Sequence, residues 1–230
     1  MTTATSRASE AVVILVPYRP VSDRQRWLWD MIKPHLERFG WPIFIGTCEG
    51  PWQRSVAVND AAAQAGDWEV AFIADCDTIP DPEGILRGIQ WVSSTKGACR
   101  PHEQRYMLDH RQSLVAVQRG VEAIPRRELK APWAGGGLDI VHRDAWEQVG
   151  GMDTRYVNWG WEDSEFHVQM VVKASWDRLP GVAWHLYHDA TDPKPNVESR
   201  RMFQQTLREN KAEIDVWAAT KGLRNAIQVL

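Results

Sequence analysis

Two carboxylates, Asp75 and Asp77, stand one residue apart where an apolar run ends, in VAFIADCDTIPDP at residues 70–82. In an extended segment, residues i and i+2 point to the same side. Both acids are then expected to face one place, just past the carboxyl end of a strand, where open α/β sheets bind their ligands. Converging carboxylates repel unless a cation lies between them. A hard divalent ion, Mn2+ or Mg2+, fits that need and brings phosphate oxygens with it. The competing reading is a capped turn, because Thr78, Pro80, Asp81 and Pro82 make a turn-rich segment.

Two further constellations carry chemistry. In NWGWEDSEF, Glu162 and Asp163 open a helical stretch, where the helix dipole favours anionic carboxylates. The bland alternative is a simple acid pair at a helix N-terminus. In GVAWHLYHDATDPKPN, His185 and His188 are three apart; within a strand they would face opposite ways, so at most one is expected to be a ligand.

The elements that must position these groups are legible in outline. AVVILVPY is a continuous apolar run suited to a strand buried on both faces. A helix capped by Ser22 or Asp23 follows, with Leu28, Ile32, Leu36 and Phe39 on one face, Pro34 as a bend and Gly40 as its stop. PIFIGT, the helix SVAVNDAAAQAG, EVAFIAD and a helix opening at Pro82 complete a β-α-β-α-β-α alternation, which implies a parallel sheet with helices on both faces. Beyond residue 100 the pattern loosens. CRPHEQRYML and SLVAVQ read as strands, and NVESRRMFQQTLRENKAEIDVWAATKG reads as one long amphipathic helix.

Composition narrows the classes. The chain has 230 residues and a formal net charge of −3, which argues against general nucleic-acid binding. Three cysteines suit neither a disulfide framework nor a zinc site and suggest a reducing compartment. The polar first residues lack a signal-peptide core, and no run approaches the roughly 20 apolar residues of a membrane span. A cytoplasmic location is therefore expected. The 13 tryptophans are core filler in the plain reading and sugar-stacking platforms in the sharper one.

Four segments together resemble the β-1,4-galactosyltransferase family, and more broadly the galactosyltransferase-type domain of polypeptide N-acetylgalactosaminyltransferases and the family 2 glycosyltransferases. They are VPYRPVSDR, RSVAVNDAAAQA, the Asp-x-Asp element, and GGGLDIVHRDAWEQVGGMDTRYVNWGWEDSEF. The resemblance implies an α/β GT-A glycosyltransferase fold with a mostly parallel central sheet flanked by helices. One catalytic domain would span residues 1–230, with a nucleotide-binding lobe over about 11–130, an acceptor lobe over about 131–195 and a C-terminal helix over 196–220. It implies a nucleotide-sugar site at Pro17, Tyr18, Arg19, Arg24, Arg54, Asn59, Asp75 and Gly136. It implies a metal site for Mn2+ or Mg2+ at Asp77, His188 and Asp75. His188 fits better than His185 because a loop able to close over the donor follows it. Acceptor binding would fall to Trp159, Gly160, Trp161 and Glu162, and the base to Asp163. The chain departs from the family loop in having Trp161 directly before Glu162, and Glu165 where Asp is common.

The function so implied is metal-dependent transfer of a sugar from a UDP-sugar to the hydroxyl of a glycan, a lipid-linked sugar or a protein. Two alternatives stand beside it. One is a non-catalytic nucleotide- or carbohydrate-binding relative. The other is a haloacid-dehalogenase-like phosphatase, whose Asp-x-Asp usually follows the first strand rather than the third.

Overall fold

The structure, a computed structural model, describes residues 12–129, 136–158, 160–188 and 197–222. The first half follows the expected alternation. Strand β1 (Val12–Pro17) is buried along its whole length. Helix α1 (Asp23–Glu37) is capped by Ser22, whose side chain accepts from the Gln25 N–H, and carries Pro34 inside it. Strand β2 (Ile43–Gly46), helix α2 (Arg54–Ala65) and strand β3 (Val70–Ala74) follow. Gly46 is required by packing, since a Cβ there would stand 1.8 Å from the Ala57 carbonyl oxygen of α2. Strand β4 (Thr78–Pro80) leads into α3 (Pro82–Thr95), which Asp81 caps.

The second half has shorter pieces. They are β5 (Ala98–Arg100), β6 (Gln104–Met107), α4 (His110–Arg119), β7 (Leu138–His142), α5 (Arg143–Val149), α6 (Glu162–Lys173), β8 (Trp176–Arg178), β9 (Val182–His185), α7 (Val197–Glu209) and α8 (Lys211–Thr220). The main sheet has the order β2-β1-β3-β7-β5-β8. Five strands run one way and β7 runs against them, antiparallel to both β3 and β5. The sheet is therefore mostly parallel, with one reversed strand that the sequence pattern did not show. A smaller sheet, β4-β9-β6, stands beyond the end of β3.

Two apolar layers cover the main sheet. Ile14, Val16, Phe72 and Ile140 pack with Leu28, Ile32, Ile85 and Val92 of α1 and α3. Val13, Leu15, Ala71 and Ile73 pack on the other side with Val58, Phe166, Met170, Phe203 and Ile214. Two expectations need correction. SLVAVQ lies inside α4, because Asp109 and Gln112 close a reciprocal capping box that overrides the β-branched valines. The long C-terminal helix is two, broken at Asn210.

Candidate active site

Strand β3 ends at Ala74 and β4 begins at Thr78, so Asp75, Cys76 and Asp77 form a turn, closed by the Thr78 N–H to the Asp75 carbonyl at 3.4 Å. The expected extended geometry fails there, and the two acids part company. Asp77 meets the two histidines: its Oδ2 lies 3.4 Å from His185 Nε2 and 3.3 Å from His188 Nε2. One ligand atom from each of the three lies within 4.8 Å of the others. The expectation that only one of His185 and His188 reaches this point is corrected. Strand β9 stops at His185, so side-chain alternation no longer applies over the next three residues. The segment is held by the Leu186 N–H to the Asp77 carbonyl at 2.8 Å and by the Tyr187 N–H to Ser113 Oγ at 2.7 Å. Burial works to raise the Asp77 carboxyl, but His185, His188 and Arg105 outweigh it and hold it well below the usual carboxylate range. Burial lowers His185, with Asp77 only partly opposing, which favours the neutral imidazole that ligates metals.

Asp75 turns the other way. The buried Arg54, first residue of α2, donates Nε–H to Asp75 Oδ1 at 2.8 Å and Nη1–H to Asp163 Oδ1 at 2.5 Å. Its Nη1 also lies 3.8 Å from Met152 Sδ. Burial works against the guanidinium charge, but Asp163 and Asp75 outweigh it and hold Arg54 charged. Asp75 is pushed up to about 6, chiefly by burial, with Arg54 pulling it down and Asp77 and Asp163 pushing it up. Asp75 thus feels both corners. Glu162, also buried, accepts the Gly160 N–H at 3.0 Å and is pushed up to about 7 by burial and then by Asp163. Gly136 lies against the same acid: a Cβ there would fall 2.0 Å from Asp163 Oδ2.

The other expected residues divide into those near these corners and those occupied elsewhere. Pro17 ends β1 opposite Gly46. Tyr18 is buried and stacks on Trp29 with ring centroids 5.4 Å apart, so that face of its ring is taken. Arg19 donates to the carbonyls of Cys48 and Gly50 at 3.1 and 2.7 Å and lies over Trp52. Arg24 lies between Trp27 and Tyr187 and bonds the Tyr187 carbonyl, which ties α1 to the His185–His188 segment. Asn59 clamps the Met152 backbone, donating to its carbonyl at 2.9 Å and accepting its N–H at 3.0 Å, a loop-fixing task and not an open binding position. Trp161, at φ 78°, stacks one face on Phe203 at 5.1 Å. Trp159 lies outside the described residues.

Sequence reasoning ranked His185 below His188, and it missed Met152 and Arg105. Arg105, on β6, donates Nη1–H to the Gly136 carbonyl at 2.5 Å. The His-x-x-His spacing was a usable signal for His185 once the strand end was placed; nothing in the sequence singled out Arg105.

A family model described as the N-terminal domain of galactosyltransferase matches residues 122–188, the stretch holding Gly136, Glu162, Asp163, His185 and His188. Among solved structures, the catalytic domain of Drosophila β1,4-galactosyltransferase 7 in complex with xylobiose superposes with a TM-score of 0.59 at 20% identity, covering 85% of this chain and 79% of that one. The fold is that of the GT-A glycosyltransferases. A mutant of the same Drosophila enzyme in complex with manganese, UDP-Gal and xylobiose gives 0.58 at 18% identity, with the same coverage. GalNAc-T7 with UDP, GalNAc and Mn2+ gives 0.50 at 13%, covering 95% of this chain and 46% of that one. No curated protein matches the chain. With this fold the phosphatase alternative falls away. No described helix is long and apolar enough to cross a membrane.

Proposed function

We propose that this chain is a metal-dependent glycosyltransferase that moves a sugar from a UDP-sugar to an acceptor hydroxyl, with inversion at the anomeric carbon. The observation that carries the reading is the pairing of two corners in one cleft: an Asp77–His185–His188 triad, and Asp163 held by Arg54, which also holds Asp75. Donors and acceptors in the neighbouring structures, UDP-Gal with manganese and xylobiose, support the same class of chemistry.

The residues fit a divalent ion. One carboxylate and two imidazoles, one of them favoured neutral, suit Mn2+, and Mg2+ less well. Asp77, His185 and His188 would hold it, and the ion supplies neutralisation of the charge that grows on the leaving diphosphate. Asp75 would meet ribose or donor-sugar hydroxyls, with Arg54 fixing its orientation. Tyr18, Arg19 and Arg24, which follow β1, would meet the uridine end.

Asp163 would take the proton of the attacking hydroxyl. Arg54 keeps it oriented by donating Nη1–H to Asp163 Oδ1. Glu162, pushed up to about 7 chiefly by burial, can both give and accept a hydrogen bond when it carries a proton. It would orient the acceptor, with Trp161 as a wall and Gly160 allowing close backbone approach. The acceptor would be a hydroxyl of a glycan, a lipid-linked sugar or a protein.

The test is Asp163→Asn. Turnover should fall about 10²- to 10⁴-fold, the usual cost of losing a positioned base. UDP and Mn2+ binding, read by calorimetry, should persist. The product anomer, read by NMR, should be opposite to the donor's; a product that keeps the donor configuration overturns both the inversion and the role of Asp163.

A further inference from the structure

Behind the cleft lies a charged network that the transfer reaction does not touch. Asp139, second residue of the buried β7, is 2% exposed, and its Oδ1 lies 2.7 Å from His167 Nε2. His167, on α6, is fully buried, and its Nδ1 lies 2.9 Å from Arg100 Nη2 on β5. The guanidinium can only donate, so Nδ1 accepts and Nε2 carries the proton. The imidazole then donates to Asp139, and the three groups form one directed chain from β5 through α6 to β7. Burial works to raise Asp139, but His167 and then Arg100 outweigh it and hold it ionised. The ring lies beside Trp176, centroids 4.9 Å apart, which fixes its plane.

Stability alone does not call for this arrangement. The flanking positions of β7 are Leu138, Ile140 and Val141, all apolar and buried. Well-packed apolar side chains replace a buried ion pair at no cost to stability in many proteins. What the network does is geometric. His167 is four residues after Asp163, so both project from the same side of α6, one turn apart. Asp139 is three residues after Gly136, the glycine that lies against the Asp163 carboxylate.

We propose that Asp139, His167 and Arg100 are positioning residues that pin α6 to the sheet one turn below Asp163, and so set where that carboxylate stands in the cleft. The proposal rests on reading Asp163 as the base. A misplacement of about 1 Å can cost on the order of 10²-fold in rate. The charged groups facing Asp163 are Arg54 from α2, Asp75 from the turn after β3, Glu162 on its own helix and Arg100 from β5. Among the described residues, Asp139 and Arg100 face His167, with Arg178 of β8 next to Arg100.

Two variants of the full chain test this. His167→Phe removes the pin. Folded H167F should lose about 10²-fold in kcat while the donor KM stays within about twofold and UDP–Mn2+ binding is kept. Asp139→Asn keeps an oxygen to accept the Nε2–H but removes the charge. In D139N, kcat should stay within about tenfold, and the 13Cγ resonance of Asp163, assigned by its loss in D163N, should shift at fixed pH as the weakened pin lets α6 move. Folded H167F that keeps kcat within twofold overturns the inference. Should H167F fail to fold, D139N decides: an unmoved Asp163 resonance overturns it. A parent that transfers no sugar refutes the base reading instead, and the D139N resonance then judges the placement alone.

Discussion

Asp75 and Asp77 are two residues apart, and the chain treats them in opposite ways. Asp77 faces a pair of imidazoles, with His185 favoured neutral. Asp75 shares a buried guanidinium with Asp163, an acid contributed from far along the chain. The acceptor corner is thus balanced by the protein's own cation, and the metal corner is arranged to receive one from outside. A cleft in which the Asp-x-Asp acids both held one ion would not show this division. Each corner should therefore fail in its own way when disturbed.

The largest effect belongs to the metal corner. Asp77→Ala removes the only carboxylate of the triad, and two imidazoles cannot offset the diphosphate charge without a bound ion. Turnover should drop more than about 10³-fold, the several kcal/mol that a Lewis-acid metal contributes. Mn2+-dependent UDP binding should vanish in calorimetry although the chain still folds. A variant that binds UDP and Mn2+ like the parent would break the division between corners.

The acceptor corner should fail in stability first. Arg54→Met removes a buried cation and leaves the half-buried Asp75 and Asp163 without it. Removing one partner from a buried charged cluster typically costs about 3–5 kcal/mol. The deficit should shrink as pH falls, because the orphaned acids can then take up protons. Urea titrations at two pH values read both the size and the sign.

The pH dependence of the parent separates the corners again. Glu162 and Glu165 are both raised from 4.5 to about 7, by burial first. Between those values the folded chain holds protons that the unfolded chain has released, so stability falls as pH rises across the window. Asp77 is held low and acts in reverse: its contribution is present above the ordinary carboxylate range and is lost as pH falls through the folded value. Glu165→Gln, a change outside both corners, should flatten the neutral limb by on the order of 1–3 kcal/mol. An unchanged limb would mean that Glu165 does not hold a proton in the folded chain.

How much of this was readable beforehand follows from the kind of signal each part leaves. Strands β1 and β3 and helices α1 to α3 announce themselves through continuous apolar runs and clear caps, and they appear where the sequence places them. The reversed β7 and the three-residue β8 leave no such trace, because their direction is set by pairing with distant strands. At the site, the residue types of Asp77, His188 and Asp163 were legible. Their company was not. Strand alternation misled twice, at Asp75–Asp77 and at His185–His188, because each pair sits where a strand has just ended. Asn59 looked like a ligand contact and instead holds the Met152 backbone. Side-chain hydrogen bonds across about 90 residues of chain are invisible to local pattern.

The smallest effect reaches the metal corner through a helix that valines disguised as a strand. Asp109 caps α4, accepting the Gln112 N–H at 2.8 Å, and its own N–H reaches Gln112 Oε1 at 3.0 Å. One turn along, Ser113 Oγ donates to the Asp109 carbonyl and accepts the Tyr187 N–H. The cap therefore steadies the segment that presents His185 and His188. Asp109→Ala should cost about 1 kcal/mol, a melting-point drop of roughly 2–4 °C for a chain of this size. Because Ser113 is held through the same turn, Mn2+ affinity should weaken as well, by less than about tenfold, the low end of what distant supports of a metal ligand contribute. The acceptor corner shares no residue with this path, so the pH limb set by Glu162 and Glu165 should stay where it is. A variant that loses the melting-point increment but keeps full Mn2+ affinity would show that β9 alone positions the two histidines.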